Sequence, residues 1–320
     1  MDVRATARTY PFGQLARHGT GAQLPGQSSE EIKMADFDIK TFSDQLAGLI
    51  AKAAPRLVAV RGAEGGSISG IIWSTGLVVT AHEALEGEDD VTVALPDGST
   101  APAHIAGRDP TTDVALLKLE TPAVNEWTRA PTPAVGSIAI AAGRGEHSPL
   151  ARFGLVAEVG PAWRSMRGGE IDARITLDLR LTGRIEGGAV LAPDGSLVGM
   201  AVNGPRRRAL VIPATTIDRA VKTLAEKGYV PRGYLGVSLH PLGNATGAIV
   251  VGIEPGSPAA NGGLLLGDVI TTWNGEPVRG VGDVSNRLSS SAVGVAGKLG
   301  VQRGGNPIDL DIVVGERPRG

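Results

Sequence analysis

Short apolar runs separated by turn residues dominate the chain between about Leu57 and Gly204. Seven of these runs are Gly70–Trp73, Leu77–Thr80, Val91–Leu95, Val114–Leu119, Ser137–Ala141, Ile175–Leu179 and Leu197–Val202. The pairs Asp97-Gly98 and Asp194-Gly195 stand between runs, as hairpin turns require. Many short strands joined by regular turns predict a β-sandwich or β-barrel domain.

Composition narrows the chemistry that such a domain could carry. The 320 residues include 46 glycines and 21 prolines but only 3% aromatic residues, so small aliphatic side chains must fill the cores. Cysteine is absent, which excludes disulfides, thiolate metal sites and a cysteine nucleophile, and fits a reducing or an oxidising compartment equally well. The net charge of −2 gives no basic surface, so nucleic acid is not an expected partner.

Helical spacing predicts two helices that flank the β-rich region. The first runs from Phe42 to about Ala54 and ends at Pro55. The second covers Ile217–Lys227 and ends at Gly228 in the left-handed manner. A further domain begins at about residue 232 and alternates strands with one helix near Val284–Ser291.

The N-terminal segment, residues 1–41, lacks this patterning. Its polar, Gly- and Gln-rich composition predicts disorder, and Met34 competes with Met1 as the true start. No basic region followed by a short apolar stretch precedes the patterned chain, so no secretory signal is visible and a cytoplasmic location is the default. No apolar run reaches the roughly 18 residues that a membrane helix needs.

Five segments, in order and at consistent spacing, carry a resemblance to a known family. They are Thr80-Ala81-His82-Glu83, Asp109–Lys118, Glu186-Gly187-Gly188 with Asp194-Gly195, Arg232–Val237, and Glu254–Ala259 with Gly267–Ile270. Together they resemble the HtrA/Deg family of trypsin-like serine proteases with a C-terminal PDZ domain. The resemblance implies a mainly β fold, with a double β-barrel of two six-stranded barrels over residues 42–228. One small α/β, sandwich-like PDZ domain follows over residues 232–316. The resemblance also implies a homo-oligomer, commonly a trimer, and a periplasmic location.

The family's catalytic triad has only one of its members at the matching positions. Asp113 matches the carboxylate that orients the catalytic histidine. An ungapped reading of Leu77–Val93 places the family's histidine on Glu83, whereas His82 lies one residue too early. Glu186 stands where the family has its nucleophilic serine.

These replacements predict a catalytically degenerate protein, a pseudoprotease. Loss of the serine or the histidine alone costs on the order of a million-fold in kcat. The oxyanion loop keeps Gly187 and Gly188, but Arg184 replaces a glycine whose backbone lines the family's oxyanion hole. The alternative is an active serine endopeptidase with a rearranged site that uses His82 as its base.

Convergence of the triad positions would bring Glu83, Asp113 and Glu186 together. Carboxylates at short range cannot all ionise cheaply, so the pKa of at least one should rise. Three outcomes are open. In the first, Arg184 or Arg180 pairs with a carboxylate, or Glu186 is exposed to solvent. In the second, the carboxylates share a proton, and in the third a hard cation such as Mg²⁺, Mn²⁺ or Ca²⁺ neutralises them, with His82 as a further ligand. We expect the first, and neither a metal nor another cofactor.

The PDZ segment then predicts the main binding activity. Tyr234, Leu235, Gly236 and Val237 resemble the loop that captures a peptide's C-terminal carboxylate, beside an edge strand over Val237–Leu239. The helix near residues 284–288 forms the opposite wall of the predicted peptide groove. The small apolar lining of this groove suggests that the bound peptide ends in a hydrophobic residue. The predicted partners are peptides or protein C-termini, in protein quality control or scaffolding.

Overall fold

The computed structural model describes residues 38–62, 66–205, 208–243, 246–288 and 292–318. Helix α1 (Ile39–Ala53) ends at a 3₁₀ turn, Ala54–Arg56, that contains Pro55, which confirms the predicted helix. It begins before Phe42 because Asp38 Oδ1 accepts the N–H of Lys40 and so caps its first turn. The predicted disorder over residues 1–41 is therefore wrong for residues 39–41, and residues 1–37 lie outside the described ranges.

The first barrel is closed and contains six strands. They are β1 (Leu57–Arg61), β2 (Ser67–Ser74), β3 (Leu77–Ala81), β4 (Asp90–Ala94), β5 (Thr100–Asp109) and β6 (Val114–Lys118). The strand order is β1-β2-β3-β6-β5-β4, with every pair antiparallel. Aliphatic side chains from these strands, such as Val58, Ile72 and Leu117, fill its interior.

The second barrel is also closed. Its strands are β7 (Ile138–Arg144), β8 (Pro149–Gly160), β11 (Arg174–Arg180), β12 (Ala189–Leu191), β13 (Leu197–Asn203) and β14 (Arg208–Pro213). They follow the order β11-β14-β13-β12-β7-β8. A separate short hairpin, β9 (Trp163–Arg164) with β10 (Glu170–Ile171), stands outside the barrel.

One apolar cluster joins the two barrels to helix α2 (Ala214–Lys227). It contains Ile71 and Leu116 from the first barrel, Met200 from the second, and Ile217 and Leu224 from α2. Gly228 ends the helix with φ of +76°, as the sequence predicts. The interface between the barrels is therefore part of the main hydrophobic core.

The C-terminal part is a small sheet with two short helices. Its strands are β15 (Gly233–Tyr234), β16 (Val237–Pro241), β17 (Ala248–Ile253), β18 (Val269–Trp273), β19 (Glu276–Pro277), β20 (Ala296–Arg303), β21 (Asn306–Val313) and β22 (Gly315–Glu316). The main sheet runs β16-β17-β18-β20-β21, with β19 beside β18, and β15 pairs with β22. Helices α3 (Pro258–Asn261) and α4 (Val281–Arg287) complete it. The predicted fold, a trypsin-like double barrel followed by one PDZ domain, is confirmed.

Helix α4 differs from the helix predicted near Val284–Ser291. It begins earlier, at Val281, and Leu288 already has non-helical backbone angles. Ser289, Ser290 and Ser291 lie outside the described residues. No helix in the described ranges is both long and apolar enough to cross a bilayer.

Candidate functional site

Asp113 lies in the turn between β5 and β6, and Asp109 organises that turn. Asp109 is buried, and its carboxylate accepts the Thr111 N–H at 3.0 Å and the Thr111 and Thr112 hydroxyls at 2.6 Å. The backbone of Asp113 has φ of +58°, which is uncommon for a residue with a side chain. The Asp109–Asp113 motif therefore has a structural role, because the Asp109 carboxylate stabilises the turn that positions Asp113.

The main chain of the His82-Glu83 pair contacts Asp113. The Glu83 N–H donates to Asp113 Oδ1 at 2.7 Å, and the His82 N–H donates to the Asp113 carbonyl at 3.3 Å. Glu83 opens a 3₁₀ turn, Glu83–Leu85, and its exposed carboxylate lies 3.8 Å from the Arg167 guanidinium. Glu83 is thus fixed beside Asp113 by its backbone while its side chain faces solvent.

Glu186 reaches the same region from the second barrel. Its side chain is half-buried, and its Oε2 accepts a 2.6 Å hydrogen bond from the Asn203 amide. The expected partners were wrong: among the described residues neither Arg180 nor Arg184 pairs with a triad-position carboxylate, and both side chains are exposed. Arg167 and Asn203 take that place. Arg167 is 84 positions from Glu83 in the sequence, so no local pattern could have indicated the pair.

The loop before Glu186 forms one 3₁₀ turn, Gly183–Ile185, closed by the Ile185 N–H on the Thr182 carbonyl at 2.9 Å. The Arg184 carbonyl accepts the Ser69 hydroxyl at 2.6 Å, which ties the loop to the first barrel. The exposed Arg184 side chain leaves this main-chain contact unobstructed.

Gly187 and Gly188 are required by packing. Gly187 has φ of +78°, and a Cβ there would lie 2.3 Å from the Ser69 carbonyl oxygen. A Cβ on Gly188 would lie 2.4 Å from the Ala142 carbonyl oxygen. Ser69 belongs to the first barrel and Ala142 to the second, so the two glycines allow the loop to fit between them.

The pKa values of Asp113 and Glu186 depend on the neighbouring carboxylates. Burial raises the pKa of Asp113 to about 7, and the charges of Glu83 and Glu186 add to the rise, against the Glu83 N–H hydrogen bond. Burial and the Glu83 charge also raise the pKa of Glu186. The charges of Glu83 and Glu186 both act on Asp113, so the ionisation of the three carboxylates is coupled.

The PDZ part contains a second candidate site at residues 234–237. The Leu235 carbonyl accepts the Ala259 N–H at 2.9 Å and the Gly236 carbonyl accepts the Glu254 N–H at 2.8 Å. Gly236 has φ of +75°, and a Cβ there would lie 2.2 Å from Ser257 Cβ. These bonds turn the carbonyls of the loop toward its own domain, and only glycine fits at position 236.

The edge strand β16 and the end of helix α4 border this loop. Strand β16 pairs only with β17 in the described sheet, so its outer edge is unpaired. Val237 and Leu239 on β16 are half-buried against the PDZ core, which also contacts Val281, the first residue of α4, and Leu288, the residue after it. The backbone of Leu288 lies against Gly233, which places the end of α4 at the start of the loop.

Two family models match the chain: a trypsin-like peptidase domain over residues 68–200 and a PDZ domain over residues 233–314. A probable periplasmic serine endoprotease, DegP-like, from Brucella suis is 29% identical over 273 residues, covering 78% of this chain and 52% of the relative. The protein of the same name from Bartonella henselae is 30% identical over 271 residues, covering 77% and 52%. A solved structure of the HtrA-type protease AlgW with a tripeptide superposes with a TM-score of 0.68 at 28% identity, covering 86% of this chain and 98% of that one.

The chain belongs to the HtrA family of trypsin-like serine proteases. It spans about half the length of the curated relatives it matches. Both relatives are named as periplasmic, which agrees with the location implied by the resemblance and gives the cytoplasmic default no support.

His82 is poorly oriented for the role that an HtrA-family histidine plays. Its ring is 5% exposed, and Arg108 Nη1 donates to its Nδ1 at 3.3 Å. Burial, then the charges of Arg108 and Arg167, lower the pKa of His82. The catalytic base of a serine protease donates its Nδ1 proton to the triad carboxylate. In His82 the Nδ1 atom accepts instead, so the side chain cannot make that contact with Asp113 in this arrangement.

The metal alternative receives no support from the geometry. Among the described residues, no group of three or more His, Asp and Glu side chains has an arrangement that could hold a metal ion. The Glu83 and Glu186 carboxylates are turned to Arg167 and Asn203, respectively.

Proposed function

We propose that this HtrA-family chain binds peptides or protein C-termini through its PDZ groove and does not hydrolyse them. The observation that carries the proposal is the pair of glutamates around Asp113. Glu83 is bonded to Asp113 through its main chain, and Glu186 precedes the two glycines of the nucleophile loop. The family's histidine and serine would stand at these two positions.

Carboxylates at these positions cannot perform the family's chemistry. A serine protease needs an imidazole that takes the nucleophile's proton and later delivers it to the leaving amine. Glu186 would have to attack as a carboxylate without such a base, and Glu83 already lies 3.8 Å from Arg167. Catalysis by the remaining scaffold would be residual at best.

The PDZ groove has the features needed for strand addition. The free edge of β16 offers main-chain donors and acceptors, and the half-buried Val237 and Leu239 offer an apolar lining. The turned carbonyls of Leu235 and Gly236 favour N–H groups that face outward at the loop, where a C-terminal carboxylate would bind. A hydrophobic C-terminal residue would contact the apolar lining next to α4.

The setting follows from the relatives and is part of the proposal. We infer a periplasmic location, because both curated relatives are named as periplasmic proteases. We further infer a homo-oligomer, with the double barrel as scaffold or assembly module, in protein quality control. Size-exclusion chromatography with light scattering tests the oligomer, for which the family resemblance suggests a trimer.

Labelling with a fluorophosphonate probe, beside casein digestion, tests the absence of peptidase activity. An active HtrA-family protease serves as the positive control in the same assay. We expect neither labelling nor digestion. Covalent labelling, or digestion that His82→Ala abolishes, would establish the alternative of an active endopeptidase with a rearranged site.

Fluorescence anisotropy with peptides that end in a hydrophobic residue tests the groove. We expect saturable binding that is lost when the peptide's C-terminus is amidated, because the amide removes the charge that the loop captures. Leu239→Ala should weaken binding, while Val251→Ala, on an exposed position of the neighbouring strand β17, should not. Equal affinity for free and amidated peptides would contradict the assignment of the loop.

A further inference from the structure

A cleft of about 800 Å³ lies between the trypsin-like part and the PDZ part. The β9–β10 hairpin, helix α2 and the β5–β6 turn line one side of it. Residues 230–233, which join α2 to the PDZ sheet, line the other side together with Ser285 and Leu288. The cleft borders both sites described above, because Gly233 and Leu288 lie at the start of the PDZ loop and Arg167 lies 3.8 Å from Glu83.

Positive charge dominates the lining of this cleft. Five arginines face it: Arg164, Arg167, Arg219, Arg232 and Arg317. The acidic side chains in the same lining are Asp109 and Glu170. The cleft therefore carries an excess of positive charge in a chain whose formal net charge is −2.

The local acids do not neutralise all of these arginines. The Asp109 carboxylate is occupied by the Thr111 and Thr112 groups that hold the β5–β6 turn. Arg164 pairs with Glu170, Arg219 pairs with Asp172, and the exposed Arg167 makes only a 3.8 Å contact with the exposed Glu83. Among the described residues, no side-chain hydrogen bond or ion pair involves Arg232 or Arg317.

The unpaired arginines are held close to one another by the fold. The Arg317 N–H donates to the Arg232 carbonyl at 2.9 Å, beside the β15–β22 pairing. Arg232 is half-buried, and burial together with the charges of Arg317 and Arg167 lowers its pKa, against the opposing charge of Asp109. Like charges held together in a partly desolvated space are unfavourable unless an anion joins them.

We propose that this cleft is a binding site for a small anion that carries phosphate or carboxylate groups, held by Arg167, Arg232 and Arg317. A guanidinium presents paired N–H donors that match both groups in a bidentate manner. The cleft volume lies within the range of small-molecule sites, roughly 300–1,000 Å³. The site does not depend on the peptide groove, so it extends the proposed function without resting on it.

Anion binding at this place would act on both parts of the chain. Arg167 belongs to the trypsin-like part, whereas Arg232 and Arg317 lie side by side next to the β15–β22 pair of the PDZ part. A ligand that contacts all three stabilises their mutual arrangement by mass action. The melting temperature should then rise with anion concentration.

Isothermal titration calorimetry of the full chain tests the site, with sodium tripolyphosphate and citrate as the two probes. We expect saturable binding to one site that weakens as sodium chloride is added. The stronger of the two probes assigns the recognised group as phosphate or carboxylate. The double variant Arg232→Gln with Arg317→Gln should lose affinity by about tenfold or more.

Matched variants distinguish the site from general charge effects. Arg152→Gln removes one exposed arginine on β8, outside the cleft, and should leave the affinity unchanged. Arg167→Gln is a second test in case the double variant folds poorly, because Arg167 is exposed. The absence of saturable binding for both probes, or equal affinity of wild type, Arg167→Gln and the folded double variant, would overturn the proposal.

Discussion

The main-chain N–H of Glu83 donates a 2.7 Å hydrogen bond to Oδ1 of Asp113. This bond fixes the position of Glu83 independently of its side chain, which turns toward Arg167. A carboxylate that enters this position therefore adds negative charge beside Asp113 without altering the local backbone. Burial is the main cause of the raised pKa of Asp113, and the Glu83 charge adds to the rise while the Glu83 N–H hydrogen bond opposes it.

Asp113→Asn should stabilise the fold in alkaline solution. Asparagine can still accept the Glu83 N–H and tolerates positive φ, but it carries no charge to desolvate. The folded chain binds the Asp113 proton more tightly than the unfolded chain, so wild type loses stability as pH rises from about 4 to about 7. We expect a gain of up to about 4 kcal/mol at pH 8, since the pKa of Asp113 rises to about 7 and each pKa unit corresponds to about 1.4 kcal/mol.

Urea denaturation of both proteins at pH 8 and near pH 4 measures this effect. The advantage of the variant should shrink as the solution is acidified, because wild-type Asp113 is then protonated. Glu158→Gln, on the exposed face of β8, should change the free energy of unfolding by less than about 0.5 kcal/mol at either pH. A variant advantage that does not depend on pH would contradict a raised pKa at Asp113.

Gly187→Ala should destabilise the chain by about 3 kcal/mol or more. The new methyl group would lie 2.3 Å from a main-chain oxygen, and the positive φ adds strain. The control is Gly98→Ala, because Gly98 has a similar φ of +89° but open space around its Cβ position. Its cost should be about 1 kcal/mol. Thermal or urea denaturation separates the two, and equal costs would mean that the packing argument is wrong.

Arg108→Gln should raise the pKa of His82. The Arg108 charge and its hydrogen bond to Nδ1 both disfavour the imidazolium, although burial is the larger cause. Because the His82 pKa is lowered on folding, wild type loses stability as pH falls below about 6.5, and the variant should lose less. A nuclear magnetic resonance titration of the imidazole signals measures the change, with the exposed His240 as an internal reference. An unchanged His82 titration would exclude Arg108 as a cause.

Asp268→Asn should destabilise the PDZ part by about 1–3 kcal/mol. The buried Asp268 carboxylate accepts two 2.8 Å hydrogen bonds from Arg303, which lower its pKa. Stability from this pair is present above the unfolded-state pKa and is lost as pH falls, so the difference between the two proteins should narrow in acid. Asp309→Asn, in an exposed pair with Lys298, is the control and should be nearly neutral. Urea denaturation measures both.

The sequence alone predicts the fold well because its signals are local. Apolar runs, turn pairs and motif segments each extend over a few residues, and the strands follow them closely. The backbone of Asp109–Asp113 is a clear case, since every group that organises the turn lies within the motif.

The site is less predictable because its decisive contacts join distant positions. Arg167 meets Glu83, Asn203 meets Glu186, and Arg108 meets His82 across long sequence separations. Sequence spacing predicts that His82 stands one residue out of place, and only the structure reveals the arginine that its ring contacts. The cleft arginines are likewise spread from residue 164 to residue 317, so no local pattern marks them.

The steric demands of the loop over residues 183–188 fall on Gly187 and Gly188, whereas the side chain of Glu186 accepts only the Asn203 hydrogen bond among the side-chain hydrogen bonds of the described residues. Position 186 can therefore accept other side chains while the contact between the barrels is kept. The chain contains no cysteine, so Glu186→Cys would introduce a single thiol in place of the carboxylate. A fluorophore attached there would report directly on the environment of Asp113 in an otherwise unlabelled protein.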